Sequence, residues 1–142
     1  MHEFTTTRRV EFADTDVGGI CHFSRYAIFM ETAEHEWLRA LGTSVHAHHG
    51  DAVVGWPRVS IECQFHAPAR FEDLLEIRVV VLRKGTKSLT YGFEIRRDAT
   101  LLVRGKMTSV CCVLGGPKLQ AIPIPESIAD RIEASPEASS WD

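Results

Sequence analysis

A carboxylate and a free peptide N–H group are predicted to stand close together near the start of the chain. Asp16 lies in the turn-rich segment Asp14-Thr15-Asp16-Val17-Gly18-Gly19, seven residues before Phe23, where a long helix is predicted to begin. The first N–H groups of a helix have no partner inside the helix, so they can hold a carbonyl oxygen or an oxyanion. A carbonyl held in this way would lie next to the Asp16 carboxylate. The alternative is that Asp16 only forms the turn.

Two other groups of residues could carry chemistry, and we interpret both as structural. His46, His48, His49 and Asp51 could bind zinc in principle, but adjacent histidines in one loop give poor tetrahedral geometry. We therefore expect a solvated loop and no metal. The four cysteines contain no CxxC pair, and two of them are adjacent, so we expect reduced, buried thiols: Cys21, Cys63, Cys111 and Cys112.

The elements that position Asp16 and Phe23 follow from hydrophobic periodicity. Alternating residues predict a first strand that ends near Ala13. Apolar residues at steps of three and four then predict the long helix, which Gly42 ends. Four later segments return to period two and predict strands: 57–66, 75–81, 89–95 and about 101–114.

The order of strand, helix and four strands predicts an α+β fold. Tight turns at Lys84-Gly85-Thr86 and Arg97-Asp98-Ala99 require antiparallel neighbours. The economical packing is a five-stranded antiparallel sheet curled around one long central helix. A brief helix is predicted from about Pro125 to Glu133. Residues 1–133 are thus expected to form a single domain and residues 134–142 a flexible C-terminal tail.

Three segments resemble the 4-hydroxybenzoyl-CoA thioesterase-like, YbgC-type hotdog thioesterases. The first is Asp14-Thr15-Asp16-Val17-Gly18-Gly19-Ile20, followed by Tyr26. The second is Ala67-Pro68-Ala69-Arg70-Phe71-Glu72-Asp73-Leu74-Leu75-Glu76-Ile77, and the third is Ile122-Pro123-Ile124-Pro125-Glu126-Ser127-Ile128. All three occur in the family's order and at its spacing, across nearly the whole chain.

The resemblance implies a hotdog fold and hydrolysis of an acyl-CoA, or of a related thioester on another thiol carrier, to a free acid and a thiol. Asp16 matches the family's catalytic aspartate, which acts as nucleophile or as general base. Phe23 matches the residue whose backbone N–H polarises the thioester carbonyl. His22 lies where family members differ. It either hydrogen-bonds substrate or assists proton transfer, or it is a pocket-lining or capping residue.

The resemblance also implies substrate contacts and an oligomer. Gly19 and Tyr26 belong to the first motif and are expected to contact substrate. Lys87 and Ser88, at a basic hairpin, resemble a Lys-Ser pair in some members and are expected to contact the phosphates of CoA. The implied assembly is a homodimer or homotetramer with active sites between subunits, and no cofactor is implied.

Composition argues for one globular domain and against nucleic acid or a membrane as partner. The chain has 142 residues, of which 44% are hydrophobic, and its net charge of −3 does not attract phosphate backbones. No apolar run approaches the roughly 20 residues of a membrane span. The N-terminus has no signal-peptide pattern, so we expect a cytoplasmic protein.

Three other functions are weaker alternatives. Asp14 and Asp16 after a strand are similar to the paired aspartates of haloacid-dehalogenase-type phosphatases, but that fold needs alternating strands and helices. A hotdog dehydratase or hydratase is disfavoured by the Asp-Thr-Asp turn. A non-catalytic hotdog domain that binds acyl-CoA as a sensor or subunit would not need the Asp16 carboxylate.

Overall fold

The computed structural model describes residues 1–142 as nine strands and two α-helices. The strands are β1 Glu3–Arg9, β2 His46–His49, β3 Ala52–Gly55, β4 Arg58–Phe65, β5 Leu74–Lys84, β6 Ser88–Arg97, β7 Thr100–Val110, β8 Cys112–Val113 and β9 Gln120–Ala121. The helices are α1 Phe23–Ala40 and α2 Glu126–Ala129, with 3-10 turns at Phe12–Asp14 and Ala138–Trp141.

The main sheet has five antiparallel strands in the order β1-β5-β6-β7-β4, and α1 packs on one face of it. Trp37 of α1 meets Tyr91 of β6 edge-on, with ring centroids 5.5 Å apart. Met30 approaches Gly105 of β7 so closely that a Cβ there would lie 2.6 Å from its sulfur. These contacts confirm the predicted five-stranded sheet around one long helix. Neither helix combines the length and hydropathy needed to cross a membrane.

The strand register gives the sheet two distinct ends. Phe65 lies at the end of the sheet where β1 finishes. Arg9, Leu74 and Arg97 lie at the same end. Arg58 lies at the opposite end, beside the β5–β6 hairpin. We call these the Phe65 end and the Arg58 end. Because Asp16 follows β1, the predicted chemistry belongs to the Phe65 end.

The prediction of a loop around the histidines is wrong, because that segment forms the β2–β3 hairpin. β3 also pairs with β8 in a small second sheet, which buries Val54 to 1% exposure. The partner strand comes from sequence-distant residues, so local polarity did not reveal it. No three His, Cys, Asp or Glu side chains lie together in a group that could hold a metal ion.

The C-terminal residues lie on the outer face of the main sheet, opposite α1. Trp141 is 6% exposed and covers Gly92, where a Cβ would lie 2.8 Å from the indole. Arg104 stacks on the same indole at 3.9 Å, and Glu137 pairs with Arg78. Val80 shares this face because it pairs with Gly92, and it is fully buried. The short α2 begins after Pro125 and is briefer than predicted.

Candidate active site

The segment before α1 folds back on itself as a small antiparallel ladder. The N–H of His22 donates to the carbonyl of Asp14 at 2.8 Å, and the N–H of Asp16 donates to the carbonyl of Ile20 at 3.0 Å. Gly19 makes the reversal possible because its φ is +75°, a conformation that side chains disfavour. The ladder therefore brings the turn that carries Asp16 back beside the start of α1.

Asp16 forms the turn and still presents one free carboxylate oxygen. Its Oδ1 accepts the N–H of Gly18 at 2.8 Å, while no hydrogen bond is made to Oδ2. The side chain is exposed at the surface of a cleft. The two interpretations from the sequence, turn former and reactive carboxylate, are thus compatible in one geometry.

The N–H of Phe23 is free, whereas the N–H groups of the next two residues are occupied. Phe23 is the first residue of α1, and its N–H donates no hydrogen bond. The N–H of Ser24 donates to Nδ1 of His22 at 3.3 Å, and the N–H of Arg25 donates to the carbonyl of His22 at 3.0 Å. One peptide dipole at the helix start therefore remains available for a ligand oxygen.

Asp16 and Phe23 line the same cleft, which has a volume of about 410 Å³. Most of its wall is apolar, and the other lining residues are Ile20, Cys21, Tyr26, Phe65, His66, Ala67 and Pro68. The side chain of Phe23 is 69% exposed and stands at the surface of this cleft. The arrangement can hold an apolar group next to a carboxylate and a free N–H donor.

Tyr26 and Cys21 form part of the wall of the cleft. The hydroxyl of Tyr26 accepts the N–H of Ala69 at 3.1 Å, and the N–H of Cys21 donates to the carbonyl of Ala69 at 2.8 Å. Burial raises the pKa of the Cys21 thiol to about 11. The thiol stays protonated near neutral pH, so Cys21 is a wall residue rather than a nucleophile.

The other predicted site residues do not line this cleft. His22 caps α1 through Nδ1, and its ring stacks against Phe23 with centroids 4.6 Å apart. Gly19 lines a neighbouring surface cleft together with Asp16, Phe12 and Phe71. Lys87 and Ser88 lie at the Arg58 end of the sheet, about 30 Å away along β6 by strand rise.

Sequence reasoning missed the wall formed by Phe65, His66, Ala67 and Pro68. His66 follows β4 directly, and its exposed side chain lines the cleft. Its N–H donates to the carbonyl of Leu102 at 2.8 Å, which fixes the chain at the end of β4. The available signal was the second motif, whose Ala67-Pro68 begins where β4 stops.

Residues 18–104 match the thioesterase superfamily. The chain belongs to this superfamily. Its enzyme class is therefore thioester hydrolase, as the sequence resemblance implied. The acyl-CoA thioester hydrolase YbgC of Escherichia coli is 30% identical over 126 residues, which cover 84% of this chain and 88% of that protein. The 4-hydroxybenzoyl-CoA thioesterase of Pseudomonas sp. strain CBS-3 is 29% identical, covering 91% of this chain and 94% of its own.

Solved structures of thioesterases share the architecture described above. A gentisyl-coenzyme A thioesterase superposes with a TM-score of 0.77 at 28% identity, covering 88% of this chain and 98% of that one. The Pseudomonas 4-hydroxybenzoyl CoA thioesterase superposes with a TM-score of 0.80 at 22% identity, covering 92% of this chain and 99% of its own. The predicted hotdog fold is thereby confirmed.

Proposed function

We propose that this chain hydrolyses an acyl-CoA thioester to a free carboxylic acid and CoA, in the cleft between Asp16 and the start of α1. The observation that carries the proposal is that the Asp16 carboxylate and the unbonded N–H of Phe23 line one apolar cleft. The names of the relatives, an acyl-CoA thioester hydrolase and a 4-hydroxybenzoyl-CoA thioesterase, support the substrate class.

The Phe23 N–H polarises the substrate in this mechanism. The thioester carbonyl oxygen accepts the hydrogen bond from this N–H, and the bond strengthens as the oxygen gains negative charge. The donor is already oriented by α1, so no reorganisation is needed during the reaction. One such donor contributes on the order of 10²–10³ in rate.

Asp16 supplies the attacking group by one of two routes. As a nucleophile, its free oxygen attacks the acyl carbon, the C–S bond breaks, CoA leaves as a thiolate, and water then hydrolyses the acyl-aspartyl anhydride. As a general base, the carboxylate takes a proton from a water that attacks the acyl carbon, and the C–S bond again breaks to release the thiolate. Both routes consume one water and yield one acid and one thiol.

The remaining walls bind the acyl group by contact rather than by hydrogen bonds. Tyr26 and Phe65 present aromatic surface, with ring centroids 5.6 Å apart, and the Tyr26 hydroxyl already accepts the N–H of Ala69. Apolar lining of this kind favours aromatic or aliphatic acyl groups over charged ones. We assign His22 to capping, which orients the peptide of Phe23.

A second copy of the chain pairs with the edge strand β4. This strand ends the main sheet and exposes Val59, Ile61 and Phe65, which are 62%, 50% and 53% accessible. The opposite edge, β1, exposes polar residues such as Thr5 and Thr7 instead. An unpaired strand with an apolar side is a template for strand pairing, and a two-fold antiparallel pair extends the sheet across two subunits.

This pairing explains why the predicted phosphate contacts lie so far from Asp16. Around a two-fold axis between the two β4 strands, the Phe65 end of one copy lies beside the Arg58 end of the other. Lys87 and Ser88 occupy the Arg58 end. They would therefore serve the site of the neighbouring copy and contact the phosphates of its CoA, which places each active site between subunits.

Thiol release from a panel of aromatic and aliphatic acyl-CoAs tests the proposal. Asp16→Asn keeps the oxygen that accepts the Gly18 N–H, so the variant should fold normally. Its kcat on the substrate that the wild type prefers should fall about 10²- to 10⁴-fold. Asp51→Asn, at an exposed turn outside the cleft, is the matched control and should retain full turnover.

Equal turnover by Asp16→Asn and wild type would remove Asp16 from the mechanism. Tight binding of acyl-CoA with no turnover on any substrate would favour the non-catalytic binding domain. Turnover of acyl carrier protein thioesters without turnover of acyl-CoA would show that the thiol carrier is acyl carrier protein. Trapping of an acyl-aspartyl anhydride by hydroxylamine would decide for the nucleophilic route.

A further inference from the structure

A buried carboxylate that the proposed mechanism does not use lies beneath the turn of Asp16. Asp14 is 1% exposed. Its Oδ2 accepts the N–H of Glu11 at 2.8 Å, and its Oδ1 accepts Nε–H of Arg25 at 2.8 Å. Its backbone carbonyl accepts the N–H of His22 at 2.8 Å. Asp14 is thus bonded to the chain on both sides of the Asp16 turn.

Arg25 makes this connection from the first turn of α1. It lies two residues after Phe23, and its side chain is 32% exposed. The ion pair therefore joins the start of the Asp16 turn to the helix end that offers the free N–H of Phe23. Asp16 itself is two residues from one partner, and Phe23 is two residues from the other.

The charge of this pair is not needed merely to close the turn. The backbone ladder from Asp14 to His22 already closes it, and Gly19 already provides the reversal. Burying a carboxylate is costly unless it is fully paired, so an apolar residue would serve simple packing better. What the pair adds is a fixed distance and angle between the turn and the helix axis.

We propose that Asp14 and Arg25 form a positioning pair that sets the separation between the Asp16 carboxylate and the Phe23 N–H. This inference rests on the proposed function, because it concerns the geometry of the same site. Neither side chain lines the cleft. The pair acts through the two groups that it holds, and a displacement of about 1 Å in such groups can cost about 10²-fold in rate.

Arg25→Gln tests the pair with little risk to folding, because the side chain is partly exposed. We expect kcat to fall about 10- to 100-fold while KM changes much less, since the cleft walls are untouched. Arg25→Lys keeps the charge and should restore part of kcat. Arg96→Gln is the matched control: that arginine is 35% exposed and pairs with Glu94 at 3.1 Å on the other face of the sheet. It should keep wild-type turnover.

A second background separates positioning from general stability. If the pair acts through Asp16, Arg25→Gln should cost little in an Asp16→Asn chain, because groups that act as a unit are not additive. An equal loss in both backgrounds, or an unchanged kcat in Arg25→Gln, would overturn the inference.

A third measurement does not depend on turnover. In ¹H–¹⁵N spectra, the amide signals of Gly18 and Phe23 should move in Arg25→Gln and stay in place in Arg96→Gln. Unmoved signals would refute the positioning role even if Asp16 proved essential. Conversely, moved signals together with full activity of Asp16→Asn would retain the pair as a geometric clamp and reject the proposed mechanism.

Discussion

Glu34 provides a quantitative test of how the helix is buried. It lies in the middle of α1 with no exposed surface, and Nη1 of Arg58 is 3.0 Å from its Oε1. Neither carboxylate oxygen has a well-aligned hydrogen-bond donor. Burial raises the pKa of Glu34 from 4.5 to about 7, and the charge of Arg58 only partly opposes this effect.

The sign of the pH dependence follows from this direction. An acid whose pKa is higher in the folded chain binds its proton more tightly there, so its contribution to stability is greatest below the unfolded pKa. That contribution falls as the pH rises from about 4.5 to about 7 and is constant above. At 1.36 kcal/mol per pH unit, the loss is about 3 kcal/mol.

Glu34→Gln removes this titration while keeping the shape of the side chain. We expect urea unfolding at a series of pH values to show a change in the difference between the two proteins. The free energy of unfolding of the variant, relative to that of the wild type, should rise by about 3 kcal/mol between pH 4.5 and pH 8. Subtracting the two curves cancels the histidines, including His35, whose pKa burial lowers. Glu36→Gln, at a half-buried position on the same helix, is the control variant for the loss of one carboxylate. A flat difference for Glu34→Gln would refute the reasoning.

Three further substitutions test separate contacts. Tyr26→Phe leaves the N–H of Ala69 without its acceptor and should lower the free energy of unfolding by about 1–2 kcal/mol, measured in urea; no change would mean that water replaces the hydroxyl. Trp141→Ala uncovers the outer sheet face and should cost about 2 kcal/mol in thermal unfolding, whereas an unchanged Tm would show that the C-terminal segment is flexible, as the sequence predicted. Ile61→Asp should halve the mass measured by light scattering and abolish turnover, whereas Thr5→Asp on the other edge strand should do neither; a monomeric wild type would contradict the β4 pairing.

Most of the fold could be predicted because its elements are encoded locally. The steps of three and four from Tyr26 to Leu41 predict α1, and Gly42, with φ of +89°, ends it. The period-two segments and their short turns predict four neighbouring antiparallel strands. The β2–β3 hairpin escaped prediction because its buried side depends on pairing with β8, far along the chain.

The candidate site was predictable only where its residues are close in sequence. Asp16 and Phe23 lie on one turn and one helix start, so their shared cleft follows from local folding. His66 reaches the same cleft through the register of β4, which no local pattern reveals. The resemblance predicts that Lys87 contacts substrate. In the folded chain, Lys87 lies most of a strand length away from Asp16.

The central claim is that the Asp16 carboxylate and the Phe23 N–H face the same acyl carbon. A crystal structure with a non-hydrolysable acyl-CoA analogue measures this directly. We predict the carbonyl oxygen of the analogue about 3 Å from the backbone nitrogen of Phe23, with the acyl carbon next to the free oxygen of Asp16. An analogue bound with its carbonyl outside this cleft, or with another donor on its oxygen, would contradict the account.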